Sequence, residues 1–214
     1  YDSYRRLIMM YADVVIEKSN NIKVDNQLGI RSDLEAFMSL YKKNINCNSD
    51  AQLSGNDLKI ICKEFKKIIY KKFNTHFPDD PYVQLHSAIK AVFKSWNGER
   101  AINYRNIENI PHDMGTAVNI QSMVFGNLGI NSATGVAFTR NPSTGENNFF
   151  GEYLINAQGE DVVAGSRTPR YITKQSKVDA GAKDESMEEA MPKVFKELKN
   201  VFLKLEKHYR DMQD

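Results

Sequence analysis

The chain has 214 residues, enough for one domain or two small ones with a buried core. Its 29 Lys and Arg against 27 Asp and Glu leave a net charge of +2, which argues against a nucleic-acid partner or any other polyanion. No apolar run approaches the ~18 residues of a membrane span and no signal peptide is visible, while two cysteines without an Asn-x-Ser/Thr acceptor point to a reducing compartment.

The pattern is helical from the first residue: Tyr4, Leu7, Ile8, Tyr11, Val14 and Val15 recur at helical spacing. Ser32 or Asp33 can cap a second helix that presents Leu34, Phe37, Met38 and Tyr41. An Asn- and Ser-rich loop, residues 44–56, precedes a longer helix with Leu58, Ile61, Phe65, Ile68, Ile69 and Phe73 on one stripe. Asp80-Pro81 is a start signal, an acid at the N-cap and proline at the first helical position. The helix it opens carries Leu85, Ile89, Val92, Phe93 and Trp96 and stops at Gly98, and a shorter one follows from Glu99 to Asn109.

Beyond Ile110 the period changes from helical to two. Val118, Ile120 and Val124 alternate with Asn119, Gln121 and Met123, as in a half-buried strand. A second strand is expected over Thr134–Arg140 and a third over Phe149–Ile155, joined by the turn Pro142-Ser143-Thr144-Gly145. A polar, Gly-flanked loop with Gln158, Glu160 and Asp161 comes next. Residues 174–186 lack an apolar period and read as a linker. Ser186 and Glu189 form a capping box for a final helix whose stripe of Val194, Phe195, Leu198, Phe202, Leu205, Tyr209 and Met212 is expected to pack on the sheet. The fold class expected is α+β, with a helical part over residues 1–110 and a β-rich part with a C-terminal helix over 111–214. Both ends break into or out of a helical pattern and read as cut from a longer chain.

The segments GTAVNIQSMVFGN, GVAFTRNPSTGE and GEYLINAQGEDVVAG, the last followed by RTP, closely resemble the nucleotide-binding domain of the pyruvate, phosphate dikinase family. YDSYRRLIMMYADVV, FPDDPYVQLHSAIKAVFKSWNGERAINYR and LEKHYRDMQD resemble the same family. Residues 18–73 match in pattern rather than wording, and 174–186 look like an insertion. A run this long and in order is far more specific than a lone Gly-rich motif. The resemblance implies a partial ATP-grasp fold and a Mg²⁺- and ATP-dependent parent enzyme. Such an enzyme interconverts ATP, phosphate and pyruvate with AMP, diphosphate and phosphoenolpyruvate through a phosphohistidine on another domain. It further implies, as partners, ATP or AMP and the remaining domains of a homodimeric parent, in the cytoplasm or an organellar matrix.

On that resemblance Gln121, Met123 and Val124 line the adenine site, where backbone groups read the base and apolar side chains sandwich it. Their bare reading is an ordinary half-buried strand, with Met as core filler. Thr139 and Arg140 close the second strand, and both are candidates for nucleotide contact. The guanidinium fork of Arg140 suits phosphate oxygens, and equally an ion pair with Glu146 or Glu152. Gln158 and Glu160 are candidates for the polyphosphate or metal environment, but Glu160 also suits a helical cap at Val162-Val163 or a pair with Arg167. Asp214 matches the first acid of the family's Asp-x-Glu metal segment. The family's phosphate-gripping lysine and arginine have no counterpart here, so the fragment alone is expected to be inactive, with no catalytic residue of its own.

His76, His86, His112 and His208 show no metal-ligand spacing, Cys62 sits on a helical stripe, and Lys63, Lys66, Lys67, Lys71 and Lys72 read as a solvated helix face. Two other readings stay open. One is a related nucleotide domain, as in phosphoenolpyruvate synthase or a glucan or drug phosphotransferase. The other is a non-catalytic module docking through its helical half.

Overall fold

The computed structural model describes residues 1–20, 29–165 and 167–214, and the chain divides into two compact units, Tyr1–Ile120 and Gln121–Asp214. Part of the segment matched only in pattern, residues 21–28, lies outside the described residues.

The first unit is built from helices. α1 (Asp2–Tyr11) continues into a π-helical stretch, Ala12–Lys18, and is followed by α2 (Ile30–Asn44) and α3 (Gly55–Phe73). Their apolar stripes meet: Ile8, Ile30, Leu34, Ile61, Phe65 and Ile69 are fully buried in one cluster. Each such side chain contributes roughly 1.5–3 kcal/mol of apolar burial. The expected stripes of α2 and α3 are therefore present, whereas Leu7 and Val14 of the first stripe are exposed. A π turn takes up an extra residue and rotates the face that follows, so Ala12 and Ile16 point inward instead.

The α2 start differs from expectation as well. The helix begins at Ile30 after Gly29, with no side-chain cap from its own N-terminus. Glu17, buried on the π-helical stretch, accepts the Ile30 amide at 2.6 Å in place of a local cap. At α3 the cap is local: Ser54 and Asp57 accept from each other's backbone amides.

α4 (Pro81–Ser95) starts where Asp80 accepts the Tyr82 amide at 2.7 Å, as the Asp-Pro signal predicts. Its expected apolar stripe is not buried. Leu85, Val92 and Phe93 are exposed, Ile89 and Trp96 are half-buried, and Ala91 alone in the helix is buried. α5 (Glu99–Glu108) and a 3-10 turn, His112–Met114, end the helical run.

The second unit carries a three-stranded antiparallel sheet in the order β1 (Ala133–Phe138), β2 (Phe150–Ile155) and β3 (Arg170–Tyr171). β1 and β2 pair from Ala133 opposite Ile155 to Phe138 opposite Phe150. The turn between them is set by Asn141, whose side chain accepts the Ser143 amide at 2.9 Å and whose carbonyl accepts from Gly145 at 2.8 Å. The strand expected over 118–124 is absent: residues 115–125 have no ladder partner among the described residues. Alternation marks a chain able to pair, but a strand needs a neighbour, and the pattern does not encode one.

α6 (Gly159–Val163) follows β2, and α7 (Lys174–Asp179) occupies the stretch expected to be a linker. Thr173 caps α7 by accepting the Ser176 amide at 3.1 Å, and at six residues the helix is too short to display an apolar period. The Ser186–Glu189 capping box is present, but it opens α8 (Met187–Ala190), not the last helix. α9 (Pro192–Tyr209) begins only after Met191 leaves the helical region, because proline disfavours helical backbone at the residue before it. On α9, Phe202 is buried against Phe149 with ring centroids 5.7 Å apart, while Val194 and Tyr209 of the expected stripe are exposed.

Candidate functional site

The antiparallel pairing of β1 with β2 gives the sheet two ends, and the candidate residues distribute themselves between them. Beyond the Ala133 end lie the loop after β2 and the segment that precedes β1. Beyond the Phe138 end lie Thr139, Arg140 and the chain after α9. Six residues of strand separate the ends, a span of about 20 Å.

At the first end, Gly126 seats the 121–125 segment. Its carbonyl accepts the Ala157 amide at 2.9 Å. A Cβ there would fall 1.9 Å from Thr134 Oγ1 and 2.4 Å from the Ala157 carbonyl, so only glycine fits this approach. Gln158 is the N-cap of α6: its backbone amide donates to Asp161 at 2.8 Å, and its side-chain amide donates to Asn127 at 3.2 Å. Glu160 occupies the exposed first turn of α6, so the capping carboxylate is that of Asp161. Nor is Arg167 placed as a partner for Glu160. It donates to the carbonyls of Ile155 at 2.8 Å and Asn156 at 3.1 Å, holding the corner where Asn156 turns at φ 50°.

Gln121, Met123 and Val124 lead into this seated glycine and are exposed, Met123 at 71% and Val124 at 93%. The half-buried strand reading does not describe them. Their backbone and side chains face solvent, and the structure brings the end of their segment beside the Gln158 cap.

At the second end, Thr139 is buried and bonded twice to Gln213. Its amide donates to the Gln213 carbonyl at 2.9 Å, and its hydroxyl accepts the Gln213 amide at 3.0 Å. Arg140 forms an ion pair with Glu206 of α9 and donates to the Gly145 carbonyl at 3.3 Å. Glu146 and Glu152 are not its partners. A cleft of about 460 Å³ opens here, lined by Arg140, Asn141, Gly145, Glu206, Arg210 and Asp211. Asp214 follows Gln213 directly and is exposed.

Sequence reasoning missed Glu206, Gln213 and Asn127, which stood inside quoted motifs without an assigned task. Arg167 was considered only as a pair for Glu160, and its hold on the Ile155 and Asn156 carbonyls was not foreseen. Cys62 is core: it is buried, and burial pushes its thiol up. Of the lysines expected on a solvated helix face, Lys63, Lys67 and Lys71 are exposed, whereas Lys66 and Lys72 are half-buried and pair with Asp79 and Asp33.

No group of three or more His, Cys, Asp or Glu among the described residues is arranged to hold a metal ion. A nucleotide-borne Mg²⁺ asks for less, one or two carboxylates with waters and phosphate oxygens completing the shell. Asp214 or Glu160 fits as a single ligand. They lie beyond opposite ends of β1, so the two do not share one ion. No helix among the described residues is long and apolar enough to cross a membrane.

The family model described as pyruvate phosphate dikinase, AMP/ATP-binding domain, matches residues 30–196. Over its whole length the chain is 48% identical to pyruvate, phosphate dikinases of Rhizobium meliloti (strain 1021) and Clostridium symbiosum, and 45% identical to a chloroplastic one of Mesembryanthemum crystallinum. It spans 23%, 22% and 20% of those three proteins.

Proposed function

The chain belongs to the pyruvate phosphate dikinase AMP/ATP-binding domain family, and from that premise we propose that it forms part of the nucleotide domain of a pyruvate, phosphate dikinase. The parent enzyme would convert ATP, phosphate and pyruvate into AMP, diphosphate and phosphoenolpyruvate through a phosphohistidine carried elsewhere in the protein. The observation that carries this reading is the match to dikinases along the entire chain at 48% identity, with about a fifth of each relative covered. The remaining domains of a homodimeric parent are its partners, and residues 1–110 and 111–214 are its helical and β-rich subdomains. Two free cysteines agree with the cytoplasm or an organellar matrix.

Within this reading, Gln121, Met123 and Val124 offer an open backbone and apolar side chains to adenine, a task their exposure permits. Gln158 presents a neutral amide beside them and Glu160 an exposed carboxylate. Arg140 lends positive charge to phosphate oxygens from the cleft, in competition with Glu206. Mg²⁺ brought by ATP would screen the charge of the polyphosphate, and Asp214 would hold one of its coordination positions. Thr139 serves through the tail it grips.

A phosphoryl transfer depends on several positioned cations and carboxylates, each worth about 2–4 kcal/mol in the transition state. The 214-residue chain should therefore bind MgATP with a dissociation constant above ~10 μM by isothermal titration and release no diphosphate from ATP, phosphate and pyruvate. Tighter binding, or turnover by this chain alone, would refute the proposal. In the intact parent, diphosphate formation that requires phosphate separates the dikinase reaction from the water-dependent one of phosphoenolpyruvate synthase.

A further inference from the structure

We infer that Thr139 is a positioning residue that fixes the direction in which Asp214 leaves the fold. The inference rests on the reading of Asp214 as a magnesium ligand. Thr139 follows β1 directly and is 1% exposed. It meets Gln213 at two points: its amide donates to the Gln213 carbonyl at 2.9 Å, and its hydroxyl oxygen accepts the Gln213 amide at 3.0 Å. The two hydrogen bonds hold the peptide groups on both sides of the Gln213 Cα, which a single bond leaves free to pivot. The second of these groups is bonded to Asp214, so the clamp sets where the Asp214 backbone starts and the range its carboxylate can reach.

The neighbouring contacts hold the tail at a second place. Arg140 pairs with Glu206 on the last turn of α9, and α9 ends at Arg210 in the left-handed conformation, φ 57°. Between Arg210 and Gln213 the chain has left the helix, and the Asp211 side chain accepts the Met212 amide at 2.8 Å. The exit from α9 is thus fixed by Arg140 and its far end by Thr139, consecutive residues beyond one rigid strand. An exposed carboxylate otherwise samples many directions, and ordering its backbone before a cation arrives removes part of that entropy from the binding step.

The role differs from the direct nucleotide contact for which Thr139 is a candidate in the sequence. A hydroxyl buried and already accepting from Gln213 acts on a ligand through the chain it holds, not by touching it.

The test uses the intact dikinase carrying this chain, with Thr139→Val, Thr139→Ser, Gln213→Pro and Asp214→Asn. Valine keeps the shape and removes the acceptor, serine keeps the acceptor, and Gln213→Pro removes the donor from an accessible position should the valine variant fail to fold. Hydrogen exchange at the Gln213 amide should accelerate about fivefold or more in Thr139→Val and stay unchanged in Thr139→Ser. Mn²⁺ affinity in the presence of ATP, read from the free-ion paramagnetic resonance signal, should fall about fivefold in Thr139→Val and in Gln213→Pro, and not in Thr139→Ser. Adding Thr139→Val to Asp214→Asn should lower it no further. Normal Mn²⁺ affinity in both clamp variants, with weakened binding in Asp214→Asn, would overturn the positioning role alone. Normal affinity in Asp214→Asn would overturn the magnesium reading of Asp214 and this inference with it.

Discussion

Arg105 donates from Nε to Nδ1 of His112 at 3.0 Å, and this bond fixes the tautomer of the ring. Arginine has donors only, so Nδ1 must present its lone pair, and the ring proton resides on Nε2, facing the side-chain amide oxygen of Asn106 at 3.1 Å. The same arginine is buried, donates to the Trp96 carbonyl at 2.6 Å and stacks its guanidinium 3.9 Å from the indole centroid. The indole in turn donates to the His112 carbonyl at 3.2 Å. His112 thus ties the end of α4 to the turn after α5.

Lysine cannot reproduce this geometry, since it lacks both the planar fork and the stacking face. Arg105→Lys should lower stability by about 1–3 kcal/mol. Trp96 is the only tryptophan in the chain, so its fluorescence reads the same event, moving to longer wavelength as water reaches the indole. An unchanged unfolding midpoint together with unchanged emission would show the network to be energetically idle.

The capping box of α8 makes the second unit sensitive to acid. The Ser186 amide, with Lys177 and the Ser186 hydroxyl, holds the Glu189 carboxyl at about 2, below its ordinary 4.5. A carboxyl depressed on folding stabilises fully above its unfolded value, and that contribution drains away as pH falls from about 4.5 to about 2. The urea midpoint should therefore drop between pH 5 and pH 3 by more in the natural chain than in Glu189→Gln, which keeps an acceptor for Ser186 but does not titrate. Parallel pH curves for the two proteins would count against the effect.

Gly151 sits at φ 153°, where a side chain is strained, and a Cβ there would lie 2.4 Å from the Val136 carbonyl and 2.6 Å from the Ala137 Cα. Both contacts are backbone of the paired strand and cannot turn aside. Gly151→Ala should cost ~3 kcal/mol or more by forcing β1 and β2 apart. Ala137 and Gly151 face each other in the ladder, so their amides should lose exchange protection before those of α2 and α3. Retained sheet protection in that variant would contradict the packing argument.

How far the fold was readable varied with the range of the interactions involved. The stripes of α2 and α3, the Asp80-Pro81 start and the Ser54–Asp57 box depend on residues a few positions apart, and the first two of these were foreseen. The exposed stripe of α4 was not, because periodicity says which face is apolar and not whether anything covers it. The same gap explains residues 118–124: their alternation is real, but no neighbouring strand pairs with them among the described residues.

The wording of the chain alone determined its family, its helical-then-β order and the identity of the candidate residues, since all three are carried by local sequence. Tertiary structure alone decided what those residues touch. Arg140 meets Glu206 across 66 positions and Thr139 meets Gln213 across 74. Neither pairing follows from spacing, because each exists only once α9 has packed beside the sheet and brought its end to the end of β1.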